Sequence, residues 1–329
     1  MPAYPFRNLV FEGGGVKGIA YIGAIEALEE AGILSQIERV AGASAGAITA
    51  LILSFRLTAQ QSIGLLNTLD FAKVPGDDDS PFVPNFIEDD VEHLTGDLKG
   101  LFWLWRRFGW HSSHYFYDWL KQTIAGQCSG NPLATFADFQ RLGFRDLYVV
   151  VTNISTHQAS IFSAKTTPDA LVADAVRMSM SIPLYFESLQ YSEGTFGQGD
   201  YYADGGTILN YPIDLFDASR YVDNDLFFHD GINRETLGCY LFTPDNCPRI
   251  RKPVTNLLSY FENLIETFLN TQTISLQKRP FDLQRSIPIS NQCVVTTDFS
   301  IKQGDVKYDK LVAGGKTAVI NYLKHYPGK

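Results

Sequence analysis

Two hydrophobic periods alternate along this chain. Short apolar runs, which predict strands, give way to stretches in which apolar residues recur every three or four positions, which predict helices. The predicted strands lie near 7–12 and at 37–42, 148–152, 159–163, 238–242 and 293–297. The predicted helices lie at 16–31, 45–57 and 170–178 and at about 254–277 and 305–325. Because uninterrupted apolar strands are joined by helices, the pattern predicts an α/β fold, with a mainly parallel central sheet flanked by helices.

A glycine-framed serine lies between the second predicted strand and the helix that follows it. The sequence Gly42-Ala43-Ser44-Ala45-Gly46 has the form G-x-S-x-G. In this context the serine stands on a sharp, strained turn, and glycines on either side leave room for neighbouring chain. Ser44 is therefore a candidate nucleophile, with Gly42 and Gly46 forming its elbow. The alternative is that these small residues only cap an ordinary helix.

A second glycine turn, Gly13-Gly14-Gly15-Val16-Lys17-Gly18, follows the first predicted strand. Its backbone N–H groups suit an oxyanion hole. The same glycines fit the dinucleotide-binding pattern, which requires an acidic residue at the end of the second strand. That strand ends at Ser44 without a carboxylate, which favours the oxyanion hole over a nicotinamide-dependent oxidoreductase. Lys17 is interpreted as a solvated lysine, the alternative being a residue that shapes the loop or meets an anionic headgroup.

The general base that Ser44 requires is less obvious from the sequence. None of the histidines, at positions 93, 111, 114, 157, 229 and 325, lies in a catalytic motif. Asp204 follows an extended aromatic run and precedes two glycines, and partial burial would raise its pKa from about 3.9 toward a useful value. Taken alone, Asp204-Gly205-Gly206 is also an ordinary turn signal. A Ser-His-Asp triad with His229 or His325 as the base is the alternative, and it would make the chain a carboxylesterase.

Taken together, the three motifs resemble the patatin-like phospholipase family in content and order. Ser179-Met180-Ser181-Ile182-Pro183 and Asn210-Tyr211-Pro212 agree with two further family blocks, so the resemblance covers about residues 7–212. It implies a Ser44–Asp204 dyad without histidine and an oxyanion hole at Gly13, Gly14 and Gly15, in which Gly14 and Gly15 are the donors. It implies supporting roles for the other motif residues, which are Lys17, Gly18, Pro183, Gly205 and Gly206.

The activity that this resemblance implies is lipid acyl hydrolysis of the phospholipase A or lysophospholipase type, without calcium or a cofactor. The substrate would be a phospholipid or lysophospholipid at a membrane surface. The resemblance also implies a bacterial member of the family, of the kind that is exported as an effector. Some bacterial relatives require a eukaryotic activator, either ubiquitin or a small GTPase.

Composition narrows the classes of protein and partner. The 329 residues and 45% hydrophobic content are consistent with one catalytic domain over 1–329, in which 213–329 carries no family motif. A net charge of −9 argues against nucleic acid and against electrostatic capture by anionic membranes. No signal peptide or transmembrane segment is predicted, so a cytoplasmic chain with peripheral membrane contact is expected. The cysteines are scattered, which predicts reduced thiols rather than disulfides or a metal site.

The segment 75–118 interrupts the alternation of strands and helices and is interpreted as a cap-like insertion. Acidic clusters at 77–79 and 88–90 precede an aromatic run at 101–110, which holds three of the four tryptophans. Tryptophan beside arginine suits a bilayer interface. The run predicts either a lid over Ser44 that inserts into lipid or a buried cap helix that packs on the core. The acidic clusters predict a solvated loop.

Overall fold

The structure is a computed structural model that describes residues 4–76, 97–192, 194–248, 253–276 and 279–326. Its strands are β1 (Asn8–Phe11), β2 (Arg39–Ala43), β3 (Gly109–His111), β4 (Asp146–Asn153), β5 (Gln158–Phe162), β6 (Leu184–Phe186), β7 (Leu189–Ser192), β8 (Thr195–Phe196), β9 (Asp200–Asp204), β10 (Phe228–His229), β11 (Ile232–Asn233), β12 (Thr236–Phe242) and β13 (Ser286–Ser290). Its α-helices are α1 (Ala20–Glu30), α2 (Ala45–Ser54), α3 (Ala59–Leu66), α4 (Asp97–Arg107), α5 (His114–Gln127), α6 (Phe136–Arg141), α7 (Val172–Ser179), α8 (Leu257–Leu276), α9 (Pro280–Gln284) and α10 (Val306–Lys324).

Nine of the strands in the described ranges form one sheet, in the order β13-β12-β1-β2-β4-β9-β7-β8 with β5 also paired to β4. The strands from β13 to β4 are mutually parallel, whereas β5 and β9 run antiparallel to β4. Parallel neighbours need long crossover connections, and helices supply several of them. The predicted α/β fold with a large, mostly parallel central sheet is confirmed.

Both faces of the sheet are buried, as the continuous apolar runs require. Alternate residues of one strand belong to different apolar clusters, with Leu9 in the larger and Val10 in the smaller. The larger cluster includes the buried sides of α1, α2 and α10. The smaller cluster is covered by the segment after Asp204, through residues such as Phe216 and Tyr221. Packing on two faces therefore fixes the strand ends that carry the Ser44 and Gly13-Gly14-Gly15 motifs.

Two predictions about the C-terminal part of the chain are wrong. Residues 293–297 form a loop, and the edge strand is instead Ser286–Ser290, whose Pro288 is tolerated because edge strands need fewer N–H donors. Cys293 takes a positive φ of 62° and forms a disulfide with Cys247. The expectation of reduced thiols therefore fails for this pair, while Cys128 and Cys239 are buried thiols.

The aromatic run at 101–110 forms part of α4 and β3, and β3 pairs with β6. Trp103 is 4% exposed and lies 4.4 Å from the Arg107 guanidinium, whereas Trp105 is 76% exposed. The acidic clusters at 77–79 and 88–90 and His93 lie outside the described residues. The cap role of 75–118 stays a prediction. None of the helices in the described ranges has both the length and the apolar character needed to cross a bilayer.

Candidate active site

Ser44 occupies the turn between β2 and α2 with φ 52° and ψ −125°. This is a disfavoured conformation for a residue with a side chain, so the surrounding structure has to hold it in place. A Cβ on Gly42 would lie 2.2 Å from the Gly46 backbone, and a Cβ on Gly46 would lie 2.2 Å from the Phe11 carbonyl oxygen. Both glycines are therefore required by close backbone approach, and they leave the Ser44 side chain at the tip of the turn.

The backbone of the elbow is fixed by a second serine. The Ser44 N–H donates to Ser179 Oγ at 2.9 Å, and the Ser179 hydroxyl donates to the Val150 carbonyl at 2.6 Å. Ser179 ends α7, so this helix is joined to both the elbow and β4. The family block that begins at Ser179 thus has a local role in holding the turn.

The sheet register brings Asp204 to Ser44. In the register of β4, Ala43 of β2 pairs with Val150, and Asp204 of β9 pairs with Val151 on the opposite side. Ser44 and Asp204 therefore lie at the same level on either side of β4. The Asp204 N–H donates to the Ser181 carbonyl at 2.8 Å, and the Gly206 N–H donates to Asp204 Oδ1 at 2.6 Å.

Asp204 is 4% exposed, and burial raises its pKa to about 7. The Ser44 side chain and the Gly206 N–H both lower this pKa and so limit the rise. Within the described part of the chain, Oδ2 has no aligned hydrogen-bond partner. A buried carboxyl that titrates near neutrality beside a serine hydroxyl can accept a proton from it.

The glycine loop lies beside this pair. The Gly13 N–H donates to the Asn210 carbonyl at 3.0 Å and is therefore engaged, whereas Gly14 and Gly15 line the same cleft as Ser44. Gly15 has φ 57°, and a Cβ there would lie 2.2 Å from the Thr296 carbonyl oxygen. Only glycine fits this position without displacing the backbone of the Thr296 loop.

The interpretation of Lys17 as a solvated lysine is wrong. Lys17 is 5% exposed, and its Nζ lies 2.6 Å from Glu266 Oε1. The partner belongs to α8, far along the chain from the glycine motif. The alternative, that Lys17 shapes the loop, is the one that agrees with this contact.

A cleft of about 290 Å³ begins at Ser44 and Asp204. One wall is formed by Ile182, Pro183 and Leu184, and the other by the apolar side of α8. The residues that α8 contributes are Phe261, Leu264, Ile265, Phe268 and Leu269. Such walls suit an acyl chain, because burying its methylenes stabilises the complex by about 0.8 kcal/mol each.

The site role of α8 was not predicted, although a helix near 254–277 was. Leu264 and Phe268 line the cleft yet are 38% and 56% exposed, and Leu257 and Tyr260 extend the same exposed stripe toward the start of the helix. The sequence carries no distinct signal for this role, because Glu266 and Gln272 are two among many polar residues of an amphipathic stretch. Asn210 was predicted only as part of a family motif, and its Nδ2 donates to Glu12 Oε1 at 3.2 Å.

The other predicted glycines and Pro183 lie in or beside the site, whereas the two candidate histidines do not. Gly18 packs closely on Ala45, Gly205 lies against the Val150 carbonyl, and Pro183 and Gly206 line the cleft. His229 and His325 lie elsewhere: each is exposed and bonded to a carbonyl of its own segment, at 2.7 and 2.8 Å respectively. Neither histidine is among the described residues that line the cleft.

Comparisons with known proteins identify the family of the chain. The profile of the family described as "Patatin-like phospholipase" matches residues 9–217. The protein YqhO of Bacillus subtilis (strain 168) is 31% identical over 320 residues, which cover 96% of this chain and 98% of that protein. The "Probable lipid hydrolase 463L" of Invertebrate iridescent virus 6 is 25% identical over 215 residues, which cover 65% of this chain and 64% of that protein.

Among solved structures, VipD from Legionella pneumophila has a TM-score of 0.58 at 20% identity, covering 98% of this chain and 67% of that chain. This likeness is one of fold. The family that the motifs resemble is confirmed by the profile match and by the relative of nearly equal length. The chain belongs to the patatin-like phospholipase family.

Proposed function

We propose that this chain is a lipid acyl hydrolase that cleaves fatty acyl esters of phospholipids through Ser44 and Asp204. One observation carries the proposal: a serine on a strained elbow lies beside a buried carboxyl at the end of an apolar cleft. Membership of a phospholipase family supports the same substrate class.

In the acylation step, Ser44 Oγ attacks the ester carbonyl carbon while Asp204 accepts the hydroxyl proton. The carbonyl π electrons move to oxygen, and the N–H groups of Gly14 and Gly15 stabilise the resulting oxyanion. Removing one such donor typically costs about 3–4 kcal/mol of transition-state stabilisation. Because Asp204 has a pKa of about 7, about half of it is ionised at pH 7, and this ionised form can act as the base.

Collapse of the tetrahedral intermediate expels the lysophospholipid alkoxide, which takes the proton from Asp204. Water then loses a proton to Asp204 and attacks the acyl-enzyme, and the second intermediate releases the fatty acid as Ser44 regains its proton. The groups named here account for every proton and electron pair, so we propose a calcium-independent reaction.

The physiological setting of the reaction is also a proposal. The substrate is a phospholipid or lysophospholipid at a membrane surface, which the apolar cleft supports. By analogy with some bacterial relatives, export as an effector and activation by ubiquitin or a small GTPase are alternatives to a cytoplasmic enzyme that is active alone, and assays with and without eukaryotic cell extract separate them.

The test is fatty-acid release from mixed phospholipid vesicles, measured by mass spectrometry with and without eukaryotic cell extract. Ser44→Ala and Asp204→Ala are each expected to abolish release while leaving the circular dichroism spectrum unchanged. Ser35→Ala, an exposed serine, and Asp230→Ala, an exposed aspartate, are the matched controls. Near-normal release by either site variant would remove that residue from the mechanism. Loss of activity in His229→Ala or His325→Ala would favour the triad instead.

A further inference from the structure

Helix α8 contacts both halves of the proposed catalytic apparatus through polar side chains. Its apolar residues line the acyl cleft, whereas Glu266 bonds to the glycine loop and Gln272 bonds to the turn after Asp204. Both side chains are partly buried, and removing a polar group from water costs free energy unless the group is hydrogen-bonded. Both residues are bonded, and each bond ends on a catalytic loop.

Glu266 ties the glycine loop to the loop that contains Thr296. Its Oε1 accepts from Lys17 Nζ at 2.6 Å, and its Oε2 accepts from the Thr296 N–H at 3.2 Å. The two loops also contact each other directly, because the Val16 N–H donates to the Thr296 carbonyl at 3.2 Å. Burial alone would raise the pKa of Glu266, but Lys17 and Thr296 together hold this pKa below its usual value. The carboxylate is thus held in its charged form between the two loops.

Gln272 holds the other side of the site. Its Nε2 donates to the Gly206 carbonyl at 2.5 Å, and its Oε1 accepts from the Asn210 N–H at 2.9 Å. Both partners belong to the turn that follows Asp204. The same turn reaches the glycine loop, because Asn210 Nδ2 donates to the Gly13 carbonyl at 3.2 Å.

We infer that Glu266 and Gln272 are positioning residues through which α8 sets the oxyanion loop and the turn after Asp204 in register with Ser44. This inference rests on the proposed function. It makes α8 more than a wall of the acyl cleft, because displacement of the helix would release the oxyanion donors and the base together. Misplacement of reacting groups by about 1 Å can reduce a rate about 100-fold.

Substitutions at Glu266 and at Gln272 test the two sets of contacts separately. Glu266→Ala is expected to lower kcat on a short soluble ester by about 10- to 100-fold, with little change in KM, because the acyl-binding residues remain. Glu266→Gln keeps the shape and is expected to recover part of the loss. Gln272→Leu is expected to lower kcat and also to move the pH inflection of kcat/KM upward, because the Gly206 N–H that lowers the pKa of Asp204 loses its support.

The matched control is Asn270→Ala, on an exposed position of the same helix. It is expected to leave kcat, KM and the pH inflection unchanged. If Glu266→Ala does not fold, the double variant Lys17→Met/Glu266→Met removes both charges together, a replacement that proteins often tolerate. A folded double variant with wild-type kcat would overturn the inference for Glu266.

The outcome for Gln272 is judged separately from the outcome for the dyad. Wild-type kcat and an unmoved inflection in Gln272→Leu would overturn the inference for that residue. If Ser44→Ala is inactive while both α8 variants keep wild-type kcat, the positioning role fails and the proposed hydrolase stands. If Ser44→Ala keeps its activity, the proposed function itself fails.

Discussion

Replacing Asp204 with asparagine is expected to inactivate the protein and, above neutral pH, to stabilise it. Burial raises the pKa of this carboxyl from 3.8 to about 7. With such a difference between the two pKa values, ionising Asp204 in the folded protein costs about 4 kcal/mol relative to the unfolded chain. Asparagine has nearly the same shape and carries no charge.

The sign follows from the two pKa values. Below about pH 4 the carboxyl is protonated in both states, and its raised pKa then contributes fully to stability. As the pH rises from about 4 through about 7, the unfolded chain ionises first and this contribution is lost. The stability of Asp204→Asn relative to wild type should therefore rise over this window and level off above it, at up to about 4 kcal/mol.

Denaturant unfolding followed by circular dichroism at about pH 4, 6 and 8 measures this difference. Asp230→Asn, at an exposed aspartate, is the control and should show little pH-dependent difference from wild type. The same titration should govern the rate, with kcat/KM of the wild type falling about tenfold for each pH unit below about 7. Equal wild-type and Asp204→Asn stabilities at all three pH values would refute the burial argument.

Gly15→Ala should abolish ester hydrolysis, because the added methyl group would lie 2.2 Å from the Thr296 carbonyl oxygen. Gly64→Ala, at an open position, is the control and should remain active. Turnover of a soluble ester measures the difference between the two variants. Reducing the Cys247–Cys293 disulfide, whose cysteines are 46 positions apart, should lower the free energy of unfolding by about 4 kcal/mol in denaturant titrations. A midpoint that is insensitive to reductant would contradict this. Trp105→Ser should reduce hydrolysis of vesicles more than of a soluble ester if α4 meets lipid, and equal rates on vesicles would argue against that contact. Trp103→Ser should destabilise the buried packing by about 3–5 kcal/mol, measured by thermal unfolding.

The parts of the site that were predictable are those in which local backbone geometry dictates residue type. The elbow at Ser44 needs small residues on both sides, and the loop at Gly15 needs a positive φ, so both leave glycine patterns in the sequence. The strands that carry them were predicted because they are buried on both faces. Asp204 was a candidate from its place between an aromatic run and two glycines, and the family resemblance favoured it over the ordinary turn that its local sequence also fits.

The parts that were not predictable depend on contacts between distant segments. The Lys17–Glu266 pair joins residues 249 positions apart, and neither residue belongs to a spacing pattern that signals the other. The disulfide and the edge strand β13 were missed for related reasons: the cysteine separation signals nothing, and Pro288 weakens the strand pattern. A β-branched run at 293–297 favoured a strand where tertiary contacts impose a loop.

The exposed stripe of Leu257, Tyr260, Leu264 and Phe268 bears on how ionic strength would affect lipid contact. Leu264 and Phe268 of this stripe also line the cleft, and the net charge of the chain is −9. Adhesion through this stripe would come from removing apolar surface from water, and added salt would weaken the repulsion between the chain and an anionic bilayer. Raising the sodium chloride concentration would therefore strengthen membrane binding of this kind. It would weaken the membrane binding of a protein that is recruited by basic residues.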